Sequence, residues 1–159
     1  MNINILCIGK IKEDYFTNAV NEYVKRLSAF AKVNIVELSE ERISDNPSEK
    51  EIIEVKNKEA GRLLSKIKEK DYVIALNLNK NELTSEGFAK KINEIQMARF
   101  DTIDFVIGGS YGLGEDLLKK ANYQLTFSKM TFPHQLFRVI LLEQIYRAFK
   151  ILHNEPYHK

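Results

Sequence analysis

Short apolar runs alternate with longer segments of helical periodicity along the whole chain. The apolar runs are rich in β-branched residues and predict strands over residues 2–8, 33–38, 71–78, 102–107 and 123–127. Apolar side chains at helical spacing predict helices over residues 13–30, 48–68, 85–100, 115–121 and 136–152. Because strand and helix alternate throughout, we predict an α/β fold, in which a parallel sheet carries helices on both faces.

Local signals predict several of the boundaries between these elements. Ser48 and Glu51 have the spacing of a capping box and predict the start of the second helix. The polar segment 79–83 predicts a turn, and four glycines within residues 108–114 predict a loop. Pro133 suits the first position of the last helix, where no backbone N–H is needed.

The last predicted helix is unusually apolar. Twelve of its 17 positions between residues 136 and 152 carry apolar side chains. A helix that is apolar most of the way round needs cover on several sides, from its own core or from another subunit.

Composition and charge narrow the functional classes. A chain of 159 residues fits one domain, spanning residues 1–159, and its hydrophobic fraction of 44% is ordinary for a globular protein. The net charge of +2 means that a nucleic-acid partner would have to be bound by a local basic patch.

The single cysteine, Cys7, excludes an intrachain disulfide framework, and no zinc-type ligand spacing occurs, so no metal is expected. Without a signal sequence or an apolar run long enough to span a membrane, we expect a cytoplasmic protein with no membrane partner.

The glycine-rich loop does not match the standard nucleotide-binding motifs. A P-loop frame counted from Gly109 places Glu115 where lysine is required, and a GxGxxG frame from Gly112 places Leu117 at the third glycine. A tight turn that needs positive φ is the simpler interpretation of these glycines.

The same loop contains the G-x-S-x-G pattern of a nucleophile elbow, centred on Ser110. Asp116 and His134 follow in the chain order of a serine hydrolase triad. Asp116 comes only six residues after the serine, which is too close for an acid on a later strand. A serine hydrolase is therefore kept as an alternative function.

Histidines and the C-terminal tail are the other candidates for chemistry. The three histidines, His134, His153 and His158, form no zinc-type cluster, and a solvated or capping role is the simple interpretation of each. At a helix N-terminus, the helix dipole disfavours the protonated form of His134. The tail ends in Pro156-Tyr-His-Lys159, residue types that stack on bases and contact phosphates, although a disordered tail would also fit.

Four sequence blocks together resemble the RlmH (YbeA) family of SPOUT-class methyltransferases. The blocks are Gly108-Gly-Ser-x-Gly112, Phe127-Ser-Lys-Met-Thr-Phe-Pro-His134, the run from Arg138-Val to Glu143-Gln-Ile-Tyr-Arg-Ala148, and Pro156-Tyr-His-Lys159. The resemblance implies a C-terminal trefoil knot, a homodimer with the last helix at its interface, and S-adenosylmethionine as cofactor. It also implies that the substrate is a pseudouridine of 23S rRNA, methylated at N3 on the assembled ribosome. A non-catalytic ribosome-binding module with the same fold is a further alternative.

The resemblance also implies which residues form the site. The implied cofactor-binding residues are Leu76, Gly108, Phe127, Ser128, Lys129, Met130, Thr131 and Phe132. After Leu76 the family often carries an acidic residue and glycine, whereas this chain reads Asn77-Leu-Asn-Lys80, so the contacts of that loop stay open. The candidate catalytic residues are Tyr157, His158, Glu143 and His134, with Arg138 and Lys159 as anion stabilisers or substrate phosphate contacts. Among these we favour Tyr157 and His158, in a tail that folds over the cofactor.

Overall fold

The computed structural model describes residues 1–159, and its framework is one five-stranded sheet. The strands are β1 (Asn2–Ile8), β2 (Lys32–Leu38), β3 (Tyr72–Glu82), β4 (Thr102–Ile107) and β5 (Tyr123–Thr126). The helices are α1 (Asp14–Leu27), α2 (Glu49–Leu64), α3 (Ser85–Met97), α4 (Glu115–Lys120) and α5 (His134–Leu152). The strand order is β2-β1-β4-β3-β5, and every neighbouring pair is parallel. The predicted α/β fold is confirmed.

Helices cover both faces of the sheet because successive side chains of a strand point to opposite sides. In β4, Phe105 belongs to the core beneath α1, α3 and α5, whereas Val106 belongs to the core beneath α2 and α4. Helix α5 packs against both α1 and α3. Its residues Leu141, Ile145 and Phe149 are fully buried there, which accounts for much of its apolar character.

Two helix starts differ in detail from the predictions. The backbone N–H of Glu51 donates to Ser48 Oγ at 3.2 Å, so the predicted cap is confirmed. The Glu51 carboxylate accepts from the Ser48 hydroxyl at 3.3 Å, where a standard capping box would use the backbone N–H of Ser48. Helix α5 begins at His134, and Pro133 is its N-cap with extended backbone, so the predicted first helical position for Pro133 is off by one.

The turn predicted at residues 79–83 is wrong, because β3 continues to Glu82. Leu125 of β5 pairs with both Leu76 and Asn81, so residues 77–80 leave the regular ladder and return to it. The Thr126 hydroxyl holds this detour from both sides, donating to the carbonyl of Asn77 and accepting from the backbone N–H of Lys80 at 2.8 Å. Polar residues mark the detour in the sequence, but the strand pairing beyond it depends on β5.

No helix has the combination of length and hydropathy needed to cross a membrane. No group of three or more His, Cys, Asp or Glu side chains is arranged to hold a metal ion.

Candidate functional site

A cavity of about 320 Å³ opens between the middle of β3, the carboxyl ends of β4 and β5, and the start of α5. In parallel α/β sheets, ligands bind beyond the carboxyl ends of the strands. Seven of the eight predicted cofactor residues line this cavity: Leu76, Gly108, Phe127, Ser128, Met130, Thr131 and Phe132. The eighth, Lys129, is solvent-exposed and does not line it. The structure thus brings three separate segments of the chain to one cavity.

The glycine loop forms one wall of the cavity and is tightly folded. Gly109 and Gly112 form an antiparallel bridge, with the N–H of Gly112 donating to the carbonyl of Gly109 at 3.0 Å. Gly112 has φ of +88°, the left-handed conformation that the sequence predicted for this turn. A Cβ on Gly108 would lie 2.8 Å from the carbonyl carbon and oxygen of Gly112. Glycine at position 108 therefore lets the backbone at the end of β4 pass against this turn.

Aromatic and aliphatic side chains form much of the remaining lining. Phe137, in the first turn of α5, packs edge-on against Phe127, with ring centroids 5.1 Å apart. The ring of Phe132 lies nearly parallel to that of Phe137 at 6.3 Å. Met130 is 75% exposed and Leu78 51% exposed, although both line the cavity. An apolar concave surface with a few polar groups is typical of a small-molecule site.

His134 is the only predicted catalytic residue that lines the cavity. Although its side chain reaches solvent, the surrounding protein partly desolvates it, and this lowers its pKa. The positive charge of Arg138 lowers the pKa further. The imidazole is consequently neutral at neutral pH and able to accept a proton.

The other three catalytic candidates form a network on α5, outside the cavity. The Tyr157 hydroxyl donates to Glu143 at 3.0 Å, and Arg147 donates to the same carboxylate oxygen at 2.6 Å. The His158 ring lies between Arg147, 3.1 Å from Nδ1, and Glu86 of α3, 2.8 Å from Nε2. Burial and the hydrogen bond to the Glu143 carboxylate raise the pKa of Tyr157, which opposes its deprotonation. No residue of the tail lines the cavity of its own chain.

The two residues predicted to contact substrate have different surroundings. Arg138 is only 1% exposed and donates to Glu37 at 2.7 Å and to the carbonyl of Gly9 at 2.9 Å. Its guanidinium is therefore engaged inside the protein. Lys159 is exposed at the end of the chain and forms no ion pair.

The geometry does not support the serine hydrolase alternative. Ser110 and His134 both line the cavity, but no hydrogen bond joins them. Asp116 lies on α4, across the sheet from α5. Ser110 also lacks positive φ, so the strained backbone of a nucleophile elbow is not present.

Sequence reasoning missed several lining residues, among them Ile107, Leu125, Thr126 and Phe137. Ile107 directly precedes Gly108, and Leu125 and Thr126 come just before Phe127, so each of them adjoins a predicted cofactor residue. Phe137 lies three residues after His134 and shares its helix face, a signal that was available in the spacing.

Comparisons with known proteins agree with the fold and the motifs. A family model described as "Predicted SPOUT methyltransferase" matches residues 1–158. The chain is 55% identical to "Ribosomal RNA large subunit methyltransferase H 1" of Clostridium perfringens (strain SM101 / Type A), over 100% of both chains. It is 54% identical, again over 100% of both chains, to "Ribosomal RNA large subunit methyltransferase H" of Clostridium tetani.

Solved structures with little sequence identity have a similar fold. A probable methylase family protein from Haemophilus influenzae Rd KW20 superimposes with a TM-score of 0.54 at 11% identity, covering 96% of this chain and 66% of that one. A putative methyltransferase from Legionella pneumophila, solved with its bound cofactor SAM, gives 0.50 at 12% identity, covering 94% and 66%. At such identities the likeness concerns the fold alone. From the family model and the full-length relatives, the chain belongs to the SPOUT methyltransferase family and, within it, to the RlmH family that its motifs predicted.

Proposed function

We propose that this protein transfers a methyl group from S-adenosylmethionine to N3 of a pseudouridine in 23S rRNA, on the assembled ribosome. The observation that carries the proposal is the single cavity formed by three predicted cofactor segments, in a chain 55% identical to a large-subunit rRNA methyltransferase. Its volume of about 320 Å³ lies within the range of small-molecule sites.

The residues that line the cavity suit S-adenosylmethionine. Leu76 and Phe132 supply apolar surface for an adenine ring, and backbone groups of residues 127–132 suit its polar edge and the amino acid moiety. A Cβ at position 108 would meet the backbone of Gly112, so the tightly folded loop that forms one wall of the cavity depends on glycine there. Lys129, outside the lining but next to it in sequence, is proposed to act through its backbone.

The reaction needs a proton acceptor as well as a methyl donor. When bound, S-adenosylmethionine supplies an electrophilic methyl group on its sulfonium. N3 of pseudouridine is an imide nitrogen and must lose its proton before it can attack that methyl group. His134 stands at the cavity with a lowered pKa, which keeps its imidazole neutral and able to take this proton.

In this proposal the protein is a homodimer, and the tail of each protomer acts at the cavity of the other. Tyr157 and His158 are held on α5 of their own chain by Glu143, Arg147 and Glu86, and they do not reach its cavity. Helix α5 keeps half-exposed apolar side chains, among them Val139 and Ile140, which a second copy would cover. We infer that the tail of one protomer, with Lys159, completes the substrate side of the cavity of the other.

The remaining features follow from the same proposal. The chain acts as one SPOUT domain over residues 1–159, in the cytoplasm, where ribosomes are found. The trefoil knot is part of the same proposal and rests on membership of the SPOUT family. No metal takes part in the proposed reaction.

The decisive experiment is incubation of ribosomes with the protein and labelled S-adenosylmethionine, followed by nucleoside mass spectrometry. The expected product is 3-methylpseudouridine in 23S rRNA, formed on assembled ribosomes and not on free rRNA. Binding to ribosomes without methyl transfer would instead favour the non-catalytic module. Methylation of free RNA alone would contradict the ribosomal part of the proposal.

A further inference from the structure

The loop of residues 9–12 alternates half-buried and exposed residues, and side chains from two other elements hold its backbone in place. It leaves the carboxyl end of β1, at the same edge of the sheet as the cavity. The N–H of Ile11 donates to Glu37 at 2.7 Å, and the N–H of Lys12 donates to Gln135 Oε1 at 2.9 Å. The backbone of this loop is consequently fixed, whereas an ordinary surface loop would leave these groups to water.

Arg138 provides the third and most buried anchor of the loop. Its guanidinium donates to the carbonyls of Ile8 and Gly9, at 3.3 and 2.9 Å, and to the Glu37 carboxylate at 2.7 Å. Glu37 Oε2 thus receives both Arg138 and the N–H of Ile11. This charge pair, in which Arg138 is buried and the Glu37 side chain is 32% exposed, sets the loop against the start of α5.

That first turn also forms part of the cavity. Gln135, which holds Lys12, directly follows His134, and both His134 and Phe137 line the cavity. The loop and the rim of the cavity are therefore neighbours that share the same anchoring helix turn. An RNA whose target nucleobase enters the cavity would extend past this rim.

The two fully exposed side chains of the fixed loop are cationic. Lys10 and Lys12 are both exposed, and neither forms an ion pair. Glu13 and Asp14 follow directly, at the start of α1, where carboxylates favour the helix N-terminus. Anchoring the loop requires only its backbone groups, so the lysine side chains are free for a ligand.

We propose that Lys10 and Lys12 form a phosphate-contacting surface that holds the RNA backbone beside the cavity, with Arg138 as the residue that positions them. The inference rests on the proposed function, because it concerns the RNA substrate of that site. A chain with a net charge of only +2 needs its phosphate contacts concentrated locally, and a fixed loop supplies them with little loss of conformational entropy. The lysines contact phosphate and select no base, so sequence specificity lies elsewhere.

The test compares two double variants that lose the same charge. One is Lys10→Gln with Lys12→Gln. The control is Lys119→Gln with Lys120→Gln, two exposed lysines in the last turn of α4, which leads to the amino end of β5 and so to the opposite edge of the sheet. Methyl transfer to ribosomes, ribosome affinity at several salt concentrations, and S-adenosylmethionine affinity by calorimetry are measured for both.

The loop variant is expected to raise KM for ribosomes about five- to tenfold, with kcat and cofactor affinity unchanged. The slope of log affinity against log salt should become shallower by about 1 to 2, since up to two phosphate contacts are lost. The control variant should keep the wild-type KM and slope. Equal effects in the two variants, no effect in the loop variant, or a loss of cofactor affinity there would overturn the inference.

Failure of the proposed function gives a different result. A wild-type protein that binds ribosomes but transfers no methyl group overturns the function. The ribosome affinities of the two double variants then decide the inference by themselves. Weaker ribosome binding by the Lys10/Lys12 variant than by the control supports the inference, and equal affinities overturn it.

Discussion

Arg138 of α5 and Glu37 of β2 form an ion pair of 2.7 Å in which the arginine side chain is almost completely buried. The same guanidinium donates to two carbonyls at the end of β1. Arg138 therefore connects the start of α5, which forms part of the cavity rim, to β1 and β2, the two strands at the other end of the strand order. The sequence analysis had placed Arg138 among the candidate anion stabilisers or substrate phosphate contacts.

Arg138→Met should destabilise the protein by about 3 kcal/mol, because it removes the charge partner of Glu37 and the donor to two carbonyls. Arg138→Lys should cost less, since one ammonium can satisfy part of this set. Urea unfolding measures both. Arg26→Met is the control, because its pair with Glu22 is exposed and should matter little. Equal losses for Arg138→Met and the control would show that the buried pair has no special weight.

Gly108→Ala should abolish measurable S-adenosylmethionine binding or weaken it at least tenfold. The added Cβ would lie 2.8 Å from backbone atoms of Gly112, so the wall of the cavity must shift. Calorimetric titration with the cofactor measures the loss, and circular dichroism checks that the variant is folded.

Gly61→Ala is the matched control, because a Cβ there meets nothing within 4 Å and the residue is helical, in the last turn of α2. Alanine should stabilise that helix by about 0.5–1 kcal/mol and leave cofactor binding unchanged. Wild-type affinity in the Gly108→Ala variant would contradict the assignment of the glycine loop to the cofactor.

Asp104→Asn should stabilise the protein more at pH 8 than at pH 5. Burial, with the nearby Asp71 carboxylate, raises the pKa of Asp104 to about 6. The folded state therefore favours the protonated form, and this contribution to stability is present below about pH 4 and lost as pH rises through about 6. Asparagine keeps an oxygen for the 2.7 Å hydrogen bond from Asn4 and carries no charge at any pH.

Thermal melting of wild type and variant at both pH values measures the difference. Asp101→Asn, at an exposed position three residues earlier, is the control and should give the same small change at pH 5 and pH 8. A pH-independent effect of Asp104→Asn would mean that Asp104 is ionised in the folded protein throughout.

A variant truncated after Glu155 should keep cofactor binding and lose methyl transfer, because the tail does not line the cavity of its own chain but is proposed to complete that of a second protomer. Mixing the truncated protein with Gly108→Ala protein should restore part of the activity. In such a mixed dimer, the tail of the Gly108→Ala protomer can complete the intact cavity of the truncated protomer. Full activity of the truncated protein would refute a catalytic role for the tail, and no recovery on mixing would refute its action across the dimer.

Much of the fold was predictable because strand and helix periodicities are local properties. The runs at β1 and β4 were bounded correctly from apolar content alone, and the Ser48 cap from a spacing of three residues. The cavity was partly predictable for a related reason. Since all carboxyl ends of a parallel sheet lie at one edge, Leu76, Gly108 and Phe127 had to lie on the same side of the molecule.

The chain by itself thus determined the alternation of elements, the α/β class and the motifs that indicate the SPOUT family. Only the tertiary structure decided that β3 continues past residue 79, that Arg138 is buried against β1 and β2, and that Tyr157 and His158 lie on α5 outside their own cavity. Each of these outcomes depends on a partner 11 to 130 residues away in the chain. Local periodicity carries no information about such pairs, because they form only when packed elements bring distant segments together.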